Sequence, residues 1–115
     1  MKKVYYLSTC NTCTRIIKEF NLTDSFEIQD IKFDKITAKQ LTELKNLAGS
    51  YEDLFNRRSR QYTARNLKKQ ELTEQDYKSL ILEEYTFLKR PTIIIDDQIF
   101  IGSAKKNLEA LKEAI

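Results

Sequence analysis

Val4-Tyr5-Tyr6-Leu7-Ser8-Thr9-Cys10-Asn11-Thr12-Cys13 is the stretch that decides the fold. Val4 to Leu7 is a short, continuous apolar run, the pattern of a strand buried on both faces in a parallel sheet. Ser8 to Cys13 is a polar loop that runs into a helix. Cys13, Ile16, Ile17 and Phe20 follow at i, i+3, i+4 and i+7, which is one apolar stripe. A C-x-x-C pair placed after a buried strand and at the start of a helix is a redox signal.

The chemistry follows from the position. Thiolate is the reactive form of cysteine, and a free thiol has a pKa near 8.5. At a helix N-terminus the unpaired N–H groups and the macrodipole favour negative charge. Cys10 is therefore expected to be partly or largely thiolate at neutral pH. Cys13 lies on the apolar stripe and turns to the core, whereas Cys10 precedes it and faces solvent. The expected division of labour has Cys10 attack and Cys13 resolve the mixed disulfide or sulfenate. One helical turn separates them, so a 10–13 disulfide is within reach. The competing reading, two inert buried cysteines, loses ground to the strand before the motif and the helix after it.

Downstream, Phe26 to Ile31 begins as an alternation of Phe26 and Ile28 against Glu27 and Gln29, which reads as a second strand. Thr37 and Gln40 form a capping box, with Ile36 and Leu41 as its hydrophobic staple. Leu41, Leu44, Leu47 and Ala48 supply the buried face of that helix, and Gly49 stops it. Ser50 with Asp53 starts another short helix. Thr73 caps a further one, with Leu72 and Tyr77 as staple and Leu80 and Ile81 toward the core. After Pro91, Thr92 to Ile95 is a β-branched strand, Asp96-Asp97 a turn, and Gln98 to Ile101 its hairpin partner. Gly102-Ser103 opens a last helix, with Ala104, Leu108, Leu111 and Ile115 on one face.

The order is thus strand, helix, strand, helical block, strand, strand, helix. The first three elements make a βαβ unit with a right-handed crossover, and the last three a ββα unit. This predicts an α/β protein of the thioredoxin-like class: a four-stranded mixed sheet, with a helical insertion at about residues 33–88. Residues 1–115 are expected to form one domain, the insertion packing on the same core.

Composition narrows the function. The chain is 41 % hydrophobic and 32 % charged, so neither disorder nor membrane embedding fits. No apolar run approaches the roughly 20 residues of a spanning helix. The basic and then apolar start at Met1–Leu7 is too short for a secretory signal of about 7–15 apolar residues, which predicts a cytoplasmic protein. There is no histidine, which removes Ser–His and Cys–His dyads and imidazole metal ligands. Two cysteines fall short of the four ligands of a structural zinc site. Asn56 to Lys69 (NRRSRQYTARNLKK) holds six basic residues and no acidic one. Taken alone it reads as a solvated helix face.

Three segments resemble the arsenate reductase (ArsC/Spx-like) family within the thioredoxin-like superfamily: Ser8 to Cys13 (STCNTC), Leu54 to Leu67 (LFNRRSRQYTARNL) and Leu88 to Gly102 (LKRPTIIIDDQIFIG). With the helices between them the likeness covers nearly the whole chain. It implies a thioredoxin-like fold with an inserted helical subdomain. The site it implies gathers Cys10, Cys13, Arg58 and Arg90 as catalytic residues. Asn11, Thr12, Asn56 and Pro91 would stand at the substrate, and the Arg90–Pro91 bond would be cis. Two guanidinium groups near Cys10 would lower its pKa further and cradle an oxyanion. The basic segment then reads as part of an anion pocket.

Two departures from the family pattern bear on substrate. Glutaredoxin-coupled arsenate reductases typically carry a serine where this chain has Cys13, and a third arginine where it has Gly102-Ser103. The resemblance implies a thiol oxidoreductase acting on a small oxyanion or disulfide, with arsenate disfavoured as the natural substrate. It needs no metal or organic cofactor, and an external reductant (thioredoxin, glutaredoxin or glutathione) restores it. The alternative it implies is a redox-sensing regulator of the Spx kind, which binds RNA polymerase; such regulators usually extend past the final helix. Nucleic-acid binding ranks last, because the basic segment has only Tyr62 as an aromatic platform.

Overall fold

The computed structural model describes all residues, 1–115. They divide into two compact units: Met1–Asp34 with Arg90–Ile115, and Lys35–Lys89. No helix is long and apolar enough to cross a membrane.

The first unit holds β1 (Lys2–Tyr6), α1 (Asn11–Glu19), β2 (Glu27–Asp30), β3 (Thr92–Ile95), β4 (Gln98–Ile101) and α5 (Lys105–Ala114). The strands lie in the order β2-β1-β3-β4. β1 runs parallel to β2 and antiparallel to β3, and β3 and β4 form an antiparallel hairpin. This is the mixed sheet of a thioredoxin-like fold, βαβ followed by ββα. All four residues of β3 are buried, as expected of a central strand covered on both faces. Val4, Ile93, Ile95 and Phe100 project from one face and pack with Ile17 of α1, Leu111 of α5, and Leu22 and Phe26 of the connecting loop.

β1 begins two residues earlier than the apolar run suggested, because Lys2 and Lys3 pair with Ile95 and Ile94. Lys3 is only 6 % exposed. Its stem lies in the sheet, while its ammonium reaches Glu27 at 3.2 Å, directly across the β1–β2 ladder, and sits 5.3 Å from the centre of the Tyr5 ring. A long aliphatic stem with a charged tip permits this where a short cation would not. Gln29 departs from the expected alternation in the same way: it is buried, and its amide donates to the Asp34 carbonyl at 2.9 Å. The predicted face of α5 is also shifted. Leu111 is buried and Leu108 half-buried, but Ala104 and Ile115, which flank the helix as its N-cap and C-cap, are exposed, and Ala114 of the last turn packs on the core.

The second unit comprises α2 (Ala38–Ala48), α3 (Arg60–Ala64), α4 (Glu74–Glu83) and three 3₁₀ turns, Glu52–Leu54, Leu67–Lys69 and Tyr85–Phe87. Two capping boxes fix its helix starts: Thr37 with Gln40, and Thr73 with Asp76. Gly49 ends α2 at φ 100°, a conformation that costs glycine nothing. Phe55 is fully buried at the centre of an aromatic cluster, with ring centroids 4.9 Å from Tyr77, 5.0 Å from Phe87 and 6.0 Å from Tyr62. Thr37→Ala and Thr73→Ala should each cost about 1 kcal/mol in urea unfolding, the usual value of a capping side chain. Serine at either position should restore most of it.

The basic segment is not one helix. It passes from an extended residue at Phe55 through a loop into the five-residue α3 and then a 3₁₀ turn. Two of its six cations are spoken for inside the unit. Arg57 donates to Glu52 at 2.7 Å and to the Tyr77 hydroxyl at 3.0 Å. Arg65 donates to Glu83 at 2.7 Å and lies 5.5 Å from the Phe87 ring centre.

Candidate functional site

β1 delivers the chain into a tight turn closed by the Cys10 N–H, which donates to the Leu7 carbonyl at 3.0 Å. Cys10 then stands as the N-cap of α1 in an extended conformation, φ −96° and ψ 110°. Its carbonyl accepts the first helical bond, from the Thr14 N–H at 3.1 Å. Asn11 and Thr12 form the first helical positions, Asn11 exposed and Thr12 half-buried. The Asn11 carbonyl accepts from the Thr14 hydroxyl at 3.0 Å. Cys13 is fully buried with Ile16 beside it on the stripe, whereas Cys10 is half-exposed. Both cysteines are free thiols.

Arg90 and Pro91 come from the other end of the same unit, just ahead of β3. The Arg90–Pro91 peptide is cis, and the Pro91 carbonyl accepts from the Gly102 N–H at 2.9 Å. The charge of the Arg90 guanidinium acts on both sulfurs.

The two thiols are driven apart. For Cys10, burial alone would raise the pKa. The Cys13 N–H, the Cys13 thiol, the Arg90 charge and the Thr12 N–H act against it and bring the group below the ordinary thiol value. For Cys13, burial dominates and is reinforced by the neighbouring Cys10 sulfur. A backbone group of Leu7 and the Arg90 charge only partly oppose it, and the thiol is pushed up to about 12. Cys10 is thus the more acidic sulfur of the pair, beside a Cys13 thiol that donates to it. The Leu7 backbone has no signature in the sequence, because a main-chain group acts there.

The signs give a pH prediction. Alkylation of Cys10 by iodoacetamide should reach half its maximal rate below the free-thiol value of about 8.5, while Cys13 stays unmodified in the native protein through that range. Cys13→Ala removes a donor and Arg90→Gln a positive charge, so each should move the Cys10 midpoint up and slow alkylation at pH 7. Linkage runs the same way. The Cys10 charge stabilises the fold above the unfolded thiol's pKa, and that contribution is lost as pH falls through its lowered folded value. Protonated Cys13 stabilises the fold below about pH 8.5, and that contribution is lost as pH rises toward about 12.

Arg58 and Asn56 belong to the second unit. The Asn56 N–H donates to the Phe87 carbonyl at 2.7 Å and its amide to the Thr86 carbonyl at 3.1 Å, while its Oδ1 accepts from the Arg58 N–H at 3.1 Å. Asn56 therefore holds the loop that carries Arg58. The Arg58 side chain is exposed. Ser59, unremarked within the basic run, is buried. It caps α3 through the Gln61 N–H and shares a 2.7 Å hydrogen bond with Thr86.

A family model, the ArsC family, matches residues 5–111. No curated protein matches the chain closely enough to count. Among solved structures, an arsenate reductase from Vibrio cholerae superposes with TM-score 0.79 at 14 % identity, covering 99 % of this chain and 97 % of its own. A "possible arsenate reductase" from Streptococcus mutans UA159 gives 0.76 at 23 % identity, covering 97 % and 98 %. A Staphylococcus aureus COL protein gives 0.77 at 24 % identity, covering 96 % and 97 %. At these identities the structures show a shared fold.

Proposed function

Since the chain belongs to the ArsC family, we propose that it is a thiol-dependent oxidoreductase with Cys10 as nucleophile and Cys13 as resolving thiol. One observation carries this reading: the accessible Cys10 caps the N-terminus of α1 while Cys13, one turn on, is fully buried, with the Arg90 charge acting on both sulfurs. On a disulfide R–S–S–R′, the Cys10 thiolate attacks one sulfur, forms Cys10–S–S–R and expels R′S⁻. Cys13 then loses its proton and attacks the Cys10 sulfur, closing the 10–13 disulfide and expelling RS⁻. The substrate has gained two electrons, and an external dithiol or two glutathione molecules return them to the protein.

The second step draws on the first. In the reduced protein, the Cys10 sulfur is one cause of the high Cys13 pKa. Once Cys10 is tied in the mixed disulfide its charge is gone, the Arg90 charge remains, and Cys13 becomes easier to deprotonate. On an arsenate-like oxyanion, with Arg90 holding the charge, the Cys10 sulfur bonds the central atom and a protonated oxygen leaves as water. Cys13 then attacks the Cys10 sulfur, closing the 10–13 disulfide and releasing the oxyanion reduced by two electrons. The family resemblance gives Arg58 the same charge-holding task as Arg90. Asn11, Thr12 and Pro91 are proposed to border the substrate, and Asn56 to position the Arg58 backbone.

Cys13→Ser supplies the test. With the resolving thiol gone, reaction with bis(2-hydroxyethyl) disulfide should stop at a mixed disulfide on Cys10, visible as a mass adduct that dithiothreitol removes. Wild type should instead yield the 10–13 disulfide and no adduct. The reading fails if the variant accumulates no adduct, or if the wild-type adduct persists unresolved. Arsenate and this disulfide, each offered with the thioredoxin or glutaredoxin system under NADPH consumption, distinguish the substrate classes.

A further inference from the structure

We propose that the groove along the outer flank of α1 is a second ligand site, for a compact aromatic or branched-chain carboxylate. The groove has a volume of about 320 Å³, at the small end of the range in which small-molecule sites fall, about 300–1,000 Å³. Its origin lies in the sheet. The face that carries Val4 and Ile93 is buried in the core, but Tyr6 and Ile28, nearest the β2 edge on that same face, are left half-covered. Together with Ile17 of α1 they line an apolar floor.

The rim determines the class of occupant. Lys18, in the last turn of α1, is the only charged residue lining the groove. Its ammonium forms no salt bridge or hydrogen bond, so it is available to an incoming anion. No carboxylate lines the groove to repel one. The neutral rim groups are partly occupied: the Thr14 hydroxyl donates to Asn11, and the Asn21 amide donates to Asp24 at 3.3 Å. Each still offers an oxygen that can accept a donor on the ligand. An apolar floor, one cation and no acid select a molecule with an apolar body and one negative charge.

A peptide strand added to the β2 edge fits less well. The Ile31 N–H donates inward to the Tyr6 carbonyl, so alternation turns Ile28 and Asp30 outward. The Asp30 carbonyl is already taken by the N–H groups of Phe33 and Asp34, at 3.2 and 2.8 Å. That leaves too short an open edge to hold a strand by its main chain.

The test is an amide chemical-shift titration of the reduced protein with three probes: phenylacetate, phenylacetamide and acetate. Phenylacetate should give saturable shifts centred on Ile17, Lys18, Asn21 and Ile28. Phenylacetamide, lacking the charge, and acetate, lacking the ring, should each bind about ten-fold or more weakly. Lys18→Gln, an exposed position whose change leaves the core untouched, should remove the preference for phenylacetate over its amide. Shifts confined to the neighbourhood of Cys10 and Arg90 would overturn the proposal. So would shifts that never saturate, shifts that acetate matches, or a Lys18→Gln variant that keeps the preference.

Discussion

Cys10→Ser is expected to lower thiol–disulfide turnover by about a thousand-fold or more, the scale on which loss of a covalent nucleophile acts. The hydroxyl is nearly isosteric with the thiol, but it does not ionise near neutral pH, so the Arg90 charge and the first N–H groups of α1 have no anion to hold. The position is half-exposed, and a serine oxygen can accept from the same first N–H groups of α1 that act on the thiol. Folding stability should therefore stay within about 0.5 kcal/mol, serine being a favoured N-cap residue. Activity followed by NADPH consumption, beside urea unfolding of the same variant, separates the chemical loss from a structural one. Retention of more than a tenth of the activity in Cys10→Ser would sink the assignment of the nucleophile.

Phe55→Ala should have the largest effect on stability. The ring is fully buried and contacts Tyr62, Tyr77 and Phe87, and Arg57 lies 6.0 Å from its centre. Removing a buried aromatic ring costs about 3–5 kcal/mol, transfer and cavity combined. Domains are stable by only about 5–15 kcal/mol, so the variant should unfold at markedly lower urea or fail to fold. Phe55→Leu refills much of the volume and should recover more than half of the loss. Equal unfolding midpoints for Phe55→Ala and wild type would show that the aromatic cluster is not a core.

Local signals were legible. The strand before Cys10, the stripe behind it, the two capping boxes and the β3–β4 hairpin are each written within a dozen residues, where periodicity and capping chemistry act. The site was legible to the same extent: the helix start at Cys10 and the inward turn of Cys13 follow from spacing. Arg90 acts on Cys10 across eighty positions of chain, and no periodicity carries that information; only the family resemblance pointed to it. Asn56 to Lys69 reads in isolation as a solvated helix face, but the structure breaks it into a loop, α3 and a 3₁₀ turn, because its order comes from partners elsewhere in the second unit. Arg57 is held by Glu52 and Tyr77, Arg65 by Glu83, and Ser59 by Thr86. Lys3 and Gln29 escaped for the opposite reason. Their polarity argued for exposure, and single partners, Glu27 and the Asp34 carbonyl, permit burial.

The central ladder joins residues 2–5 to residues 92–95, so everything up to residue 92 must emerge before β1 finds its antiparallel neighbour. The entropy of closing a loop rises only slowly with its length, but contacts of such high sequence separation form slowly. On a ribosome, the C-x-x-C motif is therefore synthesised early and waits. Until residue 90 arrives, the Cys10 sulfur lacks one of the influences that lower its pKa, the nearby guanidinium charge.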